Sequence, residues 1–318
     1  MALLRNRIPM LIGAGITAFT VISLPVKGIS QTNINSATEQ INIFQAIILG
    51  MVQGLTEFLP ISSTAHLKVV PVLLGWGDPG VAFTAIIQLG SIAAVLWYFW
   101  GDLSKITTGA IAAIKKKNYK SYDLRLAIGI VIGTIPIVFF GLLIKALIPD
   151  FDRSPIRSLA AIAIASIAMS LLLGLAEQIG KRKRDFEHIT LKDGIVMGIA
   201  QAAALIPGVS RSGSTLTAGL FIGLERAAAA RFSFLLGIPA ITIAGIVELK
   251  DALETGISSD GIVTIVVGVI SAAIFSYLAI SWLLRFLQTQ NTWIFVWYRL
   301  AFGAAILIAI ATNLLPNL

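Results

Sequence analysis

The stretch 53-QGLTEFLPISSTAH-66 places polar and ionisable groups inside an otherwise apolar run. The groups are an amide, a carboxylate, three consecutive hydroxyls and an imidazole: Gln53, Glu57, Ser62, Ser63, Thr64 and His66. Such groups are costly in the hydrocarbon region of a membrane, and they usually face a cavity at a functional site. Pro60 interrupts helical hydrogen bonding. The stretch therefore predicts a broken helix that borders a polar chamber.

A second polar stretch follows in the other half of the chain, 201-QAAALIPGVSRSGST-215. Its glycines let backbone N–H groups approach a ligand closely, and a helix beginning near Ser212 would direct the positive end of its dipole at an anion. Arg211 adds a permanently charged fork that suits phosphate oxygens. We predict an anion site formed by Ser210, Arg211, Ser212, Gly213 and Ser214. A helix-packing face of small residues is the alternative, but it leaves Arg211 unexplained.

The composition is that of a membrane protein. The 318 residues are 57% hydrophobic and 13% charged, whereas soluble domains carry about 25% charged residues. Apolar runs of about 20 residues, enough to span a bilayer, recur along the chain. The net charge of +8 is concentrated in short loops between these runs, which is the positive-inside pattern and argues against nucleic acid as a partner. The chain has no cysteine, which excludes disulfides and thiolate chemistry.

We predict one membrane domain at residues 41–318, preceded by a signal anchor or signal peptide plus linker at residues 1–40. Apolar spans are expected at residues 81–100, 126–148, 158–176, 232–247, 262–284 and 293–315. A basic loop is expected at residues 101–125, and Arg125, Arg157 and Arg299 are expected to extend to the membrane interface.

The charge rule then sets the topology. The basic loops at residues 115–120 and 181–184 belong in the cytoplasm, and the acidic loop at residues 248–260 belongs outside. With a single span between residue 231 and that loop, the second polar stretch must enter the membrane and return. The same reasoning applies to the first stretch. We predict an all-α polytopic protein with two inverted repeats (residues 41–180 and 190–318), each a re-entrant helical hairpin plus three transmembrane helices.

The spacing of the polar residues suggests their chemistry. Gln53 and Glu57 are four residues apart and share a helix face. A carboxylate there can bind a divalent cation, position water or act as a base, or it can be a buried structural residue. His66 follows Ser62 and Ser63 by one helical turn, so a hydroxyl within reach of imidazole would be an activated nucleophile. The alternatives are that His66 bridges helices and that the hydroxyls cap one.

These two motifs, together with FTAIIQLGSIAAV at residues 83–95 and ARFSFLLGIPA at residues 230–240, resemble the undecaprenyl-diphosphatase family, the bacitracin-resistance membrane phosphatases. The resemblance covers residues 41–318. It implies an integral-membrane hydrolase of the bacterial inner membrane that converts undecaprenyl diphosphate to undecaprenyl phosphate for peptidoglycan synthesis, with its site open to the outer face.

The resemblance also assigns roles to residues of this chain. The implied catalytic residues are Glu57, Ser63, His66 and Arg211. The implied phosphate-binding residues are Gln53, Thr64, Ser210 and Ser212. The spacing of the polar residues adds Ser62, Gly213 and Ser214 as candidates for phosphate binding. A divalent cation, Mg²⁺ or Ca²⁺, is implied near Glu57; many family members have glutamate where this chain has Gln53, so a site with two carboxylates is in question.

The expected mechanism has Arg211 and the adjoining backbone hold phosphate while Ser63, or water activated by His66, attacks phosphorus. The expected partners are a polyprenyl diphosphate lipid and the bilayer; a homodimer is left open. The competing hypothesis is a transporter or flippase of a polyprenyl phosphate or another anion. The inverted repeat would favour transport, whereas the cluster of Glu57, Ser63, Thr64 and His66 favours chemistry.

Overall fold

The computed structural model describes residues 41–77, 79–148, 151, 154–255 and 262–317, which form eleven α-helices. The helices are α1 Ile43–Phe58, α2 Ser63–Leu73, α3 Val81–Tyr98, α4 Trp100–Lys115, α5 Tyr122–Leu147, α6 Leu159–Ile179, α7 Leu191–Ala202, α8 Arg211–Phe221, α9 Arg226–Thr255, α10 Ile262–Thr289 and α11 Trp293–Ala311. Short 3-10 turns lie at Pro155–Arg157, Phe186–His188 and Ala203–Leu205. The predicted signal segment and linker at residues 1–40 lie outside the described residues.

Within this part of the chain, five helices are long and apolar enough to cross a membrane: α5, α6, α9, α10 and α11. The pair α3 and α4, bent by 64° at its junction, would make a sixth span if it is counted as one. The prediction of an all-α polytopic membrane protein is therefore confirmed. The helix α9 is longer than the predicted span because its ends are rich in alanine, glutamate, lysine and leucine, which are strong helix formers.

The predicted basic loop at residues 101–125 is wrong over most of its length, because residues 100–115 form helix α4. The helix is amphipathic and buries Ile106, Ala110 and Ala113 on one face, which is the spacing expected for a helix packed against a neighbour. Asp102 lies in its first turn and Lys115 in its last, where each complements the helix dipole.

Each polar stretch is a helix, a loop and a second helix. In the first, α1 packs along α10 at very close range. A side chain at Gly50 or Gly54 would overlap the backbone of α10, and Ser271 of α10 donates a hydrogen bond to the carbonyl of Ile47 at 2.8 Å. Small residues allow this approach of two helix backbones in a membrane protein.

The second polar stretch packs in the same way. Helix α7 lies on α5, where Gly194 meets Gly129 and Gly198 meets Gly133, again with no room for a side chain. The first helix of each polar stretch therefore packs on a long helix of the other half of the chain.

The second stretch returns to the place where it begins. Arg184, just before α7, pairs with Asp193 in the first turn of α7 at 2.5 Å and donates to the carbonyl of Ile222 after α8 at 3.3 Å. The end of α8 also lies beside Gly180, at the end of α6. In contrast, Lys68 of α2 donates to the carbonyl of Arg157, just before α6. The two stretches thus reach opposite ends of α6, and the inverted repeat itself stays a prediction.

Candidate active site between two broken helices

The loops of the two polar stretches meet in the structure. The Ser212 hydroxyl, in the first turn of α8, donates to the carbonyl of Leu59 at 2.9 Å. Arg299 of α11 donates from Nη1 to the carbonyl of Pro60 at 3.0 Å, and from Nη2 to the carbonyls of Gly208 at 2.7 Å and Val209 at 3.0 Å. One buried guanidinium therefore holds both loops.

Arg299 was expected at the membrane interface, and this prediction is wrong. Its side chain is 1% exposed, and its Nε also donates to the carbonyl of Ser166 at 3.2 Å. Among the described residues, none forms an ion pair with it. The sequence gives no signal of this role, because backbone carbonyls exposed by two distant helix breaks cannot be identified from residue types.

Each loop ends in a serine with an unusual backbone conformation. Ser62 has φ 74° and Ser210 has φ 73°, a region that costs a non-glycine residue about 1–3 kcal/mol and is common at functional sites. Helices α2 and α8 start immediately after these serines. The Ser210 hydroxyl caps α8 by accepting from the N–H of Gly213 at 3.1 Å, whereas the Ser62 side chain makes no capping hydrogen bond.

Glu57, near the end of α1, is at the centre of the hydrogen-bond network. Its Oε2 accepts from the Ser63 hydroxyl at 2.7 Å and from Nε2 of Gln53 at 3.2 Å, and its Oε1 lies 3.4 Å from Nη2 of Arg211. The side chains of Glu57 and Arg211 are 9% and 10% exposed. A serine hydroxyl that donates to a carboxylate has the arrangement in which a carboxylate can activate a hydroxyl as a nucleophile.

Two serines that the sequence analysis did not identify form hydrogen bonds beside Gln53. Its Nε2 lies 3.4 Å from the hydroxyl of Ser91 in α3, and Ser276 of α10 donates to the same hydroxyl at 2.8 Å. Both serines are fully buried. A polar residue in the middle of an apolar span was the available signal for each, but serine is also common at helix packing faces.

His66 follows the first loop closely but forms no hydrogen bond with the Ser63 hydroxyl. Its Nδ1 lies 2.8 Å from the carbonyl of Ser62, and its Nε2 lies 2.6 Å from the hydroxyl of Tyr298. Its ring stacks on Phe302 with centroids 4.3 Å apart. This differs from the expected pairing with a serine hydroxyl. The separation of four residues does bring His66 to Ser62, but to its carbonyl.

A cavity of about 160 Å³ lies between the loops. It is lined by Glu57, Ser62, Ser63, Thr64, Gln88, Ile137, Ala204, Pro207, Gly208, Ser210, Arg211, Ala240, Ile241 and Ala244. Three residues of the predicted anion site do not line it. Ser212 contacts the first loop, Gly213 lies against the guanidinium of Arg299, and the Ser214 hydroxyl donates to the carbonyl of Arg211 at 3.0 Å. They hold the loop in place.

The family model described as bacitracin resistance protein BacA matches residues 46–305. The chain belongs to this family. It is 66% identical to a protein of Trichormus variabilis named undecaprenyl-diphosphatase, over the full length of both chains. Proteins with the same name are 67% identical in Trichodesmium erythraeum, over 88% of this chain and 90% of that one, and 56% identical in Gloeobacter violaceus, over 88% and 96%. The resemblance inferred from the motifs is confirmed.

The BacA-family site has a limited set of metal ligands in this chain. Across the described ranges, no three His, Cys, Asp or Glu side chains come together in a way that could hold a metal ion. Glu57 is the carboxylate on the cavity, and Gln53 adds an amide beside it. Because Mg²⁺ is commonly held by one or two carboxylates plus substrate phosphates and water, these residues fit a cation shared with a bound diphosphate.

His188, the other histidine of the chain, lies away from this site. It is 71% exposed and lies 2.6 Å from Asp185, as expected for a residue in a basic loop. The hydrogen bond with His188 lowers the pKa of the Asp185 carboxyl.

Proposed function

We propose that this chain dephosphorylates undecaprenyl diphosphate to undecaprenyl phosphate. It would thereby recycle the carrier lipid for peptidoglycan synthesis and confer resistance to bacitracin. The shared name of the relatives supports this reaction, and the family match at residues 46–305 includes both loops of the site.

The observation that carries the proposal is the charge of the site. In the described part of the chain, the guanidinium groups of Arg299, which is 1% exposed, and Arg211, whose side chain is 10% exposed, stand at the loops against the carboxylate of Glu57. An excess charge buried away from water is costly unless it is compensated. A diphosphate in the cavity would compensate it, while the prenyl chain remains in the surrounding lipid.

The proposed reaction uses the contacts of Ser63 and Glu57. The Ser63 Oγ attacks the terminal phosphorus, and Glu57, 2.7 Å away, takes the hydroxyl proton. The bond between that phosphorus and the bridging oxygen breaks, and undecaprenyl phosphate leaves with the proton from Glu57. Water then attacks the phosphoserine and gives a proton to Glu57. The bond between phosphorus and the Ser63 Oγ breaks, and Glu57 passes that proton to the Ser63 Oγ as inorganic phosphate leaves.

The remaining residues position and stabilise the phosphate groups. Arg211 places a fork of donors at the cavity, and Ser210, Ser62 and Thr64 add hydroxyls at its wall. A divalent cation held by Glu57, the amide oxygen of Gln53 and the diphosphate would neutralise negative charge.

We place the protein in the bacterial inner membrane with the cavity open to the outer face, because the charge pattern puts the ends of the first polar stretch outside.

The test is release of phosphate from undecaprenyl diphosphate by protein purified in detergent, with Mg²⁺, with Ca²⁺ and with chelator. Glu57→Gln should abolish release, and Glu225→Gln, an exposed carboxylate before α9, should leave it unchanged. Release by the wild-type protein that is fully retained in Glu57→Gln would overturn the mechanism. If no condition gives release, the transporter hypothesis gains support, and flux of a polyprenyl phosphate into vesicles would test it.

A further inference from the structure

Tyr298 links the last helix to the first loop through His66. It lies on α11, and its hydroxyl is 2.6 Å from Nε2 of His66 on α2. The three aromatic rings of Tyr298, His66 and Phe302 are nearly parallel, with His66 and Phe302 3° apart. The stack holds the plane of the imidazole, and the hydroxyl is a separate, polar contact at its edge.

The contacts of His66 determine where its proton lies. The Ser62 carbonyl, 2.8 Å from Nδ1, can only accept a hydrogen bond, so His66 binds it only in the tautomer that carries the hydrogen on Nδ1. In a neutral ring Nε2 then has the lone pair, and it requires a donor. The Tyr298 hydroxyl is that donor. Outer contacts of this kind commonly fix the tautomer of a functional histidine.

The Ser62 carbonyl belongs to the peptide group that joins Ser62 to Ser63. Ser62 has φ 74°, so its conformation must be maintained by surrounding contacts. The orientation of this peptide sets where α2 starts and where Ser63 lies, with its hydroxyl 2.7 Å from Glu57. A hydrogen bond from His66 to that carbonyl therefore acts on the position of Ser63.

We propose that Tyr298 is a positioning residue of the site: its hydroxyl keeps the proton of His66 on Nδ1, so that His66 holds the Ser62 peptide and Ser63 faces Glu57. The effect on turnover rests on the proposed function, whereas the effect on the tautomer does not. In this account His66 does not take the proton of the nucleophile.

Tyr298→Phe is the direct test because it keeps the ring stack and removes only the hydroxyl. We expect kcat for phosphate release to fall about tenfold or more, as for other outer partners of functional groups. KM should stay within about twofold, because Arg211 and Ser210, which would bind the phosphate groups, keep their contacts. Tyr277→Phe is the matched control, since Tyr277 lies on α10 with 41% exposure. Wild-type kcat in Tyr298→Phe would overturn the proposal.

A second variant separates positioning from general damage. In His66→Asn, the side-chain amide N–H can take the place of Nδ1–H as donor to the Ser62 carbonyl and does not need Tyr298. Adding Tyr298→Phe to His66→Asn should therefore cause no further loss of kcat. If the two losses multiply instead, the hydroxyl acts independently of His66 and the proposal fails.

The tautomer can be measured without any turnover. The chain has two histidines, so ¹⁵N-histidine labelling of a His188→Gln protein reports on His66 alone. We expect the Nδ1–H form in the wild-type background and a mixture of tautomers after Tyr298→Phe. An Nε2–H ring in the wild-type background would overturn the proposal even if phosphate release is confirmed. The expected tautomers without phosphate release would sustain the positioning role and reject the enzymatic function.

Discussion

At the scale of single residues, two serines of the site have a strained backbone that is held by hydrogen bonds from a buried arginine. Ser62 and Ser210 adopt nearly the same unfavourable φ, 74° and 73°, at equivalent places in two loops of different sequence. In each loop the neighbouring carbonyls are bound by Arg299. The strain is thus stabilised by a buried cation, and the serines leave hydroxyls at the cavity wall.

Replacing Arg211 should have a large effect on catalysis. We expect Arg211→Ala to lower kcat/KM for phosphate release by about 10²–10³-fold or more, as for the loss of a donor to a developing oxyanion. Arg211→Lys should recover only part of this, because a lysine keeps the charge but loses the planar fork. Arg125→Ala, an exposed arginine on α5, is the control. Near wild-type turnover in Arg211→Ala would contradict an anion site at this loop.

Arg299 should matter first for stability. Arg299→Met keeps an unbranched side chain but removes the donors to the carbonyls of Pro60, Gly208 and Val209. Buried acceptors without partners cost about 1–3 kcal/mol each, so we expect a clear drop in the Tm of the detergent-solubilised protein together with lost activity. Arg125→Met should change neither. An unchanged Tm in Arg299→Met would show that the loops are held by other contacts.

At the scale of helices, glycines decide how the polar stretches pack. Gly198 of α7 lies directly on the backbone of Gly133 in α5, and overpacking of such a contact costs about 1–3 kcal/mol. We expect Gly198→Ala to lower the Tm. Gly141→Ala on α5 is the matched control, since its new methyl group would meet only the side chain of Leu205 at 3.5 Å. Equal stability of both variants would contradict this packing.

The sequence was sufficient to predict the broken helices, because proline, glycine and clustered polar groups in apolar runs have local meaning. It also indicated the face shared by Gln53 and Glu57, which their hydrogen bond displays. The role of Arg299 could not be predicted, since it depends on which backbone carbonyls face α11, and the donor for His66 could not be predicted, since it depends on which side chain of α11 meets α2. Helix α4 was not predicted because its lysines and glycines are typical of a loop, and its apolar face is formed by a few residues only.

At the scale of the whole molecule, the site exists only where both halves meet. Its carboxylate and proposed nucleophile, Glu57 and Ser63, belong to the first half, and its arginines, Arg211 and Arg299, belong to the second. The packing is reciprocal, with α1 on α10 and α7 on α5. An inverted repeat would explain this reciprocal packing, because two copies that face in opposite directions bring their broken helices together at the centre of the membrane.

The inverted repeat predicts that the two polar stretches reach opposite faces of the membrane. The chain has no cysteine, so each introduced thiol is unique. We expect Leu74→Cys, after α2, to react with a membrane-impermeant maleimide in intact spheroplasts, and Lys183→Cys, before α7, to react only after permeabilisation. Both positions are exposed, so a lack of labelling reports sidedness and not burial. The cysteine-free protein is the blank, and Ile156→Cys and Asn118→Cys, on either side of α5, should repeat the outer and inner patterns. Labelling of Leu74→Cys and Lys183→Cys from the same face would rule out the inverted repeat, because the two stretches would then enter the membrane from one side.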